Sequence, residues 1–224
     1  CVGELATQVV NGAVDKIGIG LGDFAWTPAG TALSGCSVTR NFVHDIVDER
    51  TFSAVGILVA GNGAPSASLV ANNMVMGVRS NATSGDQAVG IGIGGASSGD
   101  RVVFNSVYLA GDLDPGTSPS TTQSAAGVRI ASAAATNLTL RNNALAVDLA
   151  CNNAALRHYA IVAPGGGYAW GSGGADNNDY YVDPGNRQMV LGGLGAVVGY
   201  TDVTTETGWR TQFSPNQDGA SFSA

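Results

Sequence analysis

Val70-Ala71-Asn72-Asn73-Met74-Val75 sets the fold of this chain, because its arrangement returns along the sequence: an apolar residue, two variable residues, an asparagine, one residue, an apolar residue. It stands as Val38-Thr39-Arg40-Asn41-Phe42-Val43 before, and as Val102-Val103-Phe104-Asn105-Ser106-Val107, Leu140-Arg141-Asn142-Asn143-Ala144-Leu145 and Ala175-Asp176-Asn177-Asn178-Asp179-Tyr180 after. The aligned asparagines, Asn41, Asn73, Asn105, Asn143 and Asn178, lie 32, 32, 38 and 35 residues apart. A fixed period of this length is the mark of a repeat architecture.

A second marker drifts with the first. Short runs of aliphatics around a small residue, Ala54-Val55-Gly56-Ile57-Leu58-Val59, Ala88-Val89-Gly90-Ile91-Gly92-Ile93, Ala126-Gly127-Val128-Arg129-Ile130 and Tyr159-Ala160-Ile161-Val162, recur at 34, 37 and 33 residues. Both markers sit in runs of about five residues with period-two alternation, bounded by Gly, Asn, Asp and Ser, which is how strands between tight turns read. The segment 141–156 is rich in apolar residues but is interrupted by paired asparagines, so it fits the strand repeat and not a helix. Strand, turn and strand without crossover helices cannot build a βαβ sheet, but they can coil.

The expectation is therefore an all-β, right-handed parallel β-helix, with about five to seven coils in one domain spanning residues 1–224. Residues 184–224 are expected to cap its end, since a solenoid needs atypical terminal units. The asparagines are assigned a structural role. Asn tolerates the left-handed backbone at a sharp turn, and its amide can bond to the equivalent asparagine of the next coil to form a ladder.

Composition narrows the function. Lys16 is the only lysine, and 17 acidic residues against 10 basic ones give a formal net charge of −7. Nucleic acid needs clustered Lys and Arg, which are absent, and no apolar run reaches the roughly 18 residues of a membrane span. Cys1 and Cys36 are 35 residues apart, one repeat, so they are either a disulfide between adjacent coils or two small buried hydrophobes. Cys151 is expected as a free, buried thiol. No cysteine or histidine has metal-ligand spacing, so neither metal nor cofactor is expected.

Candidate ligand residues are few. The longest excursion between the two markers, from Asn105 to Gly127, contains Gly111-Asp112-Leu113-Asp114-Pro115-Gly116-Thr117-Ser118-Pro119-Ser120, a polar loop of the kind that carries sites on a rigid scaffold. His44-Asp45 opens the one dense polar cluster, and His158, between Arg157 and Tyr159, reads as a surface or turn residue. Tyr168 and Trp170, with Tyr180 and Tyr181 nearby, either present rings to a sugar or close the end of the solenoid.

The Asn-rich strand followed by a Gly-Ile or Gly-Val strand, over residues 30–183, resembles the parallel β-helix repeats of the pectin-lyase-like superfamily. Asn177-Asn178-Asp179-Tyr180-Tyr181, then Gly199-Tyr200-Thr201-Asp202, Trp209, Asp218 and Ser221, looks like the closing coils of large secreted bacterial β-helix proteins. The resemblance implies an extracellular or bacterial cell-surface location and a piece of a longer chain. Many relatives depolymerise acidic polysaccharides. The polygalacturonase-like set of Asn-x-Asp, Asp-Asp, Gly-His-Gly and Arg-x-Lys on successive coils is absent, however, and Asp112 and Asp114 lack the basic partner that a pectate-lyase-like calcium site employs. A structural or adhesive module that associates end to end into filaments is the leading expectation. A polysaccharide-binding module, lyase or hydrolase is the alternative.

Overall fold

Each repeat folds into three short strands separated by sharp corners, and each strand lies beside its equivalent one repeat later. The computed structural model describes residues 14–23, 26, 31–63, 65–115, 122–165, 167–183, 185–186, 188–197, 199–213, 215 and 217–223. Sheet 1 stacks β1 (Lys16–Gly22), β5 (Ala54–Gly61), β9 (Ala88–Gly95), β12 (Ala126–Ile130), β15 (His158–Ala163) and β18 (Met189–Leu194). Sheet 2 stacks β2 (Ser37–Thr39), β6 (Leu69–Ala71), β10 (Arg101–Val103), β13 (Leu138–Arg141) and β16 (Trp170–Asp176). Sheet 3 stacks β3 (Phe42–His44), β7 (Met74–Met76), β11 (Ser106–Asp112), β14 (Ala144–Ala150), β17 (Asp179–Val182) and β20 (Phe222–Ser223). A small fourth sheet pairs β4 (Val47–Asp48) with β8 (Arg79–Ser80). These pairings are all parallel, so the chain is a parallel β-solenoid of about five turns.

The period-two alternation places one column of aliphatics inside each sheet. Val38, Val70, Val102, Leu140 and Ala175 are in register in sheet 2, Val43, Val75, Val107, Leu145 and Tyr180 in sheet 3, and Ile19, Ile57, Ile91, Val128 and Ile161 in sheet 1. Nearly all are buried, and each such side chain contributes roughly 1.5–3 kcal/mol by leaving water. The small residue of the second marker has a steric cause. A Cβ on Gly56 would collide with Val75 of sheet 3 and lie 2.6 Å from the carbonyl oxygen of Gly90, and one on Gly90 would collide in the same way with Val107 and Gly127. Sheets 1 and 3 approach too closely there for a larger side chain.

The corner between sheets 2 and 3 differs from expectation in one respect. The left-handed backbone belongs to the residue before each ladder asparagine: Arg40, Asn72, Phe104, Asn142 and Asn177 have φ of 54–59°. The turn so made aims the following asparagine inward instead of placing it at the apex.

The last turn changes character. β19 (Thr201–Val203) runs antiparallel to β18, and α1 (Glu206–Arg210) follows, capped by the Thr205 hydroxyl, which accepts from the Gly208 N–H at 3.0 Å. The repeat gave no sign of this single-turn helix. Its Trp209 is fully buried, donates from Nε1 to Asp218 at 2.8 Å and meets Phe213 edge to face. The outer side of sheet 1 is covered as well. Trp26 lies where a Gly92 side chain would be, Arg129 stacks on its ring at 3.9 Å, and Tyr200 packs on Tyr159 at 5.3 Å.

Candidate contact face

Because Val43, Val75 and Val107 point into the core, their neighbours on the same strands point outward. Phe42 and His44 flank Val43, Met74 and Met76 flank Val75, and Ser106 and Tyr108 flank Val107. Phe42 is 58%, Met74 46% and Tyr108 45% exposed, and Tyr181 and Phe222 extend the same face into the last turns. Phe104 stands at the adjoining corner, 56% exposed at φ 57°. A bulky residue in the left-handed region is strained, and here burial does not offset the strain. The other turns place Arg or Asn at this position, so neither backbone preference nor packing accounts for a phenylalanine.

Between the rings runs a shallow groove of about 410 Å³, lined by Arg40, Asn41, Phe42, Asn72, Met74 and Phe104, with Asn73 and Ser106 at its floor and rim. Rings, planar amides and one guanidinium can grip a partner by stacking and hydrogen bonding. The lining holds no carboxyl or imidazole group, so proton transfer has no donor or acceptor there.

The five asparagines form a continuous ladder, half-buried at Asn41 in the groove and buried from Asn73 to Asn178. Asn41 donates from Nδ2 to Asn73 Oδ1 at 2.9 Å, Asn73 to Asn105 at 2.9 Å, Asn105 to Asn143 at 3.0 Å and Asn143 to Asn178 at 3.0 Å. Each Oδ1 also accepts the backbone N–H of the asparagine below at 3.0–3.1 Å. The amides satisfy the corner's backbone groups, and their side chains are committed to that task.

The remaining candidates do not converge. His44 is exposed, stacked on Phe42 at 4.5 Å, with Nδ1 at 2.8 Å from Asp45. Asp112 is exposed on β11 and accepts the Asp114 N–H, whereas Asp114 is buried and accepts from the Asn152 backbone. Residues 116–121 of that loop lie outside the described residues, as does Cys1 of the expected disulfide. Cys151 is a free thiol but only half-buried, and burial pushes its pKa up. Tyr168 is buried and meets Trp170 edge to face at 4.9 Å, while Trp170 meets Phe213, so these rings pack on one another and on the closing segment.

His158 is the clearest departure from the sequence reading. It is wholly buried, its Nδ1 accepts the Ala125 N–H at 3.0 Å, and desolvation lowers its pKa to about 4. It begins a strand whose neighbours on both sides are covered, which a flanking arginine conceals in the sequence.

A second groove, about 500 Å³, lies beside sheet 1 between Gln123, Arg157, Tyr159, Tyr200 and Asp202. Its one carboxylate, Asp202, accepts from the Tyr159 hydroxyl at 2.8 Å, and desolvation raises that hydroxyl's pKa, with Asp202 adding to the effect. Glycoside hydrolysis needs two carboxyl groups across the bond, and this groove has one. Among the described residues no group of three or more His, Cys, Asp or Glu is placed to hold a metal ion, and no helix is long and apolar enough to cross a membrane. Comparisons with protein-family models, curated proteins and solved structures found no match to this chain.

Proposed function

We propose that this chain is an extracellular or cell-surface structural module, a stiff solenoid of the pectin-lyase-like type whose third sheet makes adhesive contact. The observation that carries the reading is Phe104, strained and exposed beside Phe42, Met74 and Tyr108. A clustered apolar face on an otherwise acidic chain is the usual form of an interaction site. The ladder supports the mechanical half of the reading, because every turn is tied to the next through buried amide bonds.

Polysaccharide recognition is the second reading, favoured by Arg40 lining the groove together with the exposed rings of Phe42 and Phe104. Incubating the protein with bacterial envelope material and with acidic polysaccharides separates the readings. Adhesion predicts co-sedimentation with envelope material and no new sugar ends. Release of reducing or unsaturated ends would replace it with an enzyme.

A further inference from the structure

We propose that the outer face of sheet 3 binds a neutral, extended polysaccharide of equatorially linked sugars, laid along the solenoid axis. The inference rests on the adhesive reading and names the partner of that face.

The register of the strands carries it. His44, Met76, Tyr108, Ala146 and Tyr181 are Cα partners across β3, β7, β11, β14 and β17, so they form one outward column along the axis. Exposed rings stand in the first, third and fifth of these strands, and half-buried Met76 and Ala146 lie between them. Phe42 stacks on His44 at 4.5 Å and widens the first position.

Two strand spacings of about 4.8 Å put successive rings roughly 9.6 Å apart. A ribbon of equatorially linked pyranoses advances by about that distance every two sugars and turns the same face down each time. Alternate sugars then meet rings, and those between pass over Met76 and Ala146. The axial C–H groups of such a sugar form an apolar, weakly positive surface, which the negative face of an aromatic ring attracts. An extended peptide repeats its facing side chains every two residues, about 6.7 Å, and falls out of step with the rings.

Charge selects the neutral class. Asp112, Asp148 and Asp179 alternate with the buried residues of β11, β14 and β17 and so face outward, and Asp45 follows β3. Arg40, at the first corner, offsets one of these four charges. A polyanion is repelled along the column, whereas the same carboxylates accept hydrogen bonds from sugar hydroxyls.

The test is calorimetric titration of the full chain with cello-oligosaccharides of two to six sugars, with maltohexaose and a cellouronate oligomer as controls. Three sugars reach two rings and five reach all three, so binding is expected to strengthen about fivefold at three sugars and again at five. Tyr108→Ala is expected to abolish the gain at three and keep that at five, and Tyr181→Ala to do the reverse, both melting at the wild-type temperature. Maltohexaose, whose axial linkages curl the chain, and the cellouronate, which carries the same linkage with added carboxylates, are expected to bind at least about tenfold more weakly than cellohexaose. A chain that binds no cello-oligosaccharide, binds either control equally well, or gains smoothly with length whatever the variant would overturn the proposal. Retention on envelope material without glycan binding removes the glycan and leaves the adhesive reading, and glycan binding without retention does the reverse.

Discussion

Asn178 donates from Nδ2 to Oδ1 of Asp218 at 2.9 Å, and with that bond a ladder of neutral amides ends on a carboxylate. Asp218 is fully buried and also accepts from the Ser221 hydroxyl at 2.7 Å, the Tyr180 hydroxyl at 3.1 Å and Trp209 Nε1 at 2.8 Å. One side chain thus joins the last rung, the core tyrosine and the covering helix. Asp218→Ala leaves the Ser221, Tyr180 and Trp209 donors without this acceptor and Asn178 Nδ2 with Leu140 O alone, and is expected to destabilise the chain by about 3 kcal/mol or more, with loss of the Trp209 near-ultraviolet signal. Chemical denaturation with circular dichroism measures both. A loss below about 1 kcal/mol would mean that the end is held by packing alone.

Within the ladder, position decides the penalty. Asn105 is buried, accepts two bonds from Asn73 and donates to Val70, Val103 and Asn143, whereas Asn41 is half-buried and accepts nothing from a lower rung among the described residues. Asn105→Ala is expected to lower unfolding stability by about 3 kcal/mol and Asn41→Ala by about 1 kcal/mol. Equal losses in denaturant titrations would remove the ladder from the account of stability.

Much of this is legible in the residues themselves. Two markers with one drifting period specify the coil, and the asparagine spacing specifies the rungs. The corner is ambiguous for a physical reason: Asn-Asn occurs at 72–73, 142–143 and 177–178, so either residue of the pair could hold the left-handed turn. Phe104-Asn105 carries the missing signal, since a phenylalanine replaces the first asparagine at the position where the backbone favours one. The outward face is not legible because Phe42-Val43 and Met74-Val75 pair two apolar residues, and period two alone does not say which of them faces water.

Phe104 should then behave unlike an ordinary aromatic. Phe104→Asn relieves a left-handed backbone without uncovering core, and is expected to raise stability by about 0.5–1 kcal/mol while weakening contact through the face. Thermal unfolding reads the first effect. A loss of stability would show that the ring packs usefully in the isolated chain.

His158 makes stability depend on pH in a defined window. Burial holds its pKa at about 4 in the folded chain, against 6.5 when unfolded, so between those values the unfolded chain binds the extra proton. Stability from this group is complete above pH 6.5 and is lost as pH falls, up to about 3 kcal/mol by pH 4. Protonation would also turn Nδ1 from acceptor to donor against the Ala125 N–H. His158→Gln is expected to flatten the slope of unfolding free energy between about pH 7 and pH 4. An unchanged slope would assign acid sensitivity to other groups.

The central claim is that the third sheet is a contact face, and retention on bacterial envelope material tests it most directly, comparing wild type with Phe42→Ser/Phe104→Asn. The account predicts that wild type is retained and that the double variant, folded and no less stable, washes off. Equal retention of the two proteins would contradict it.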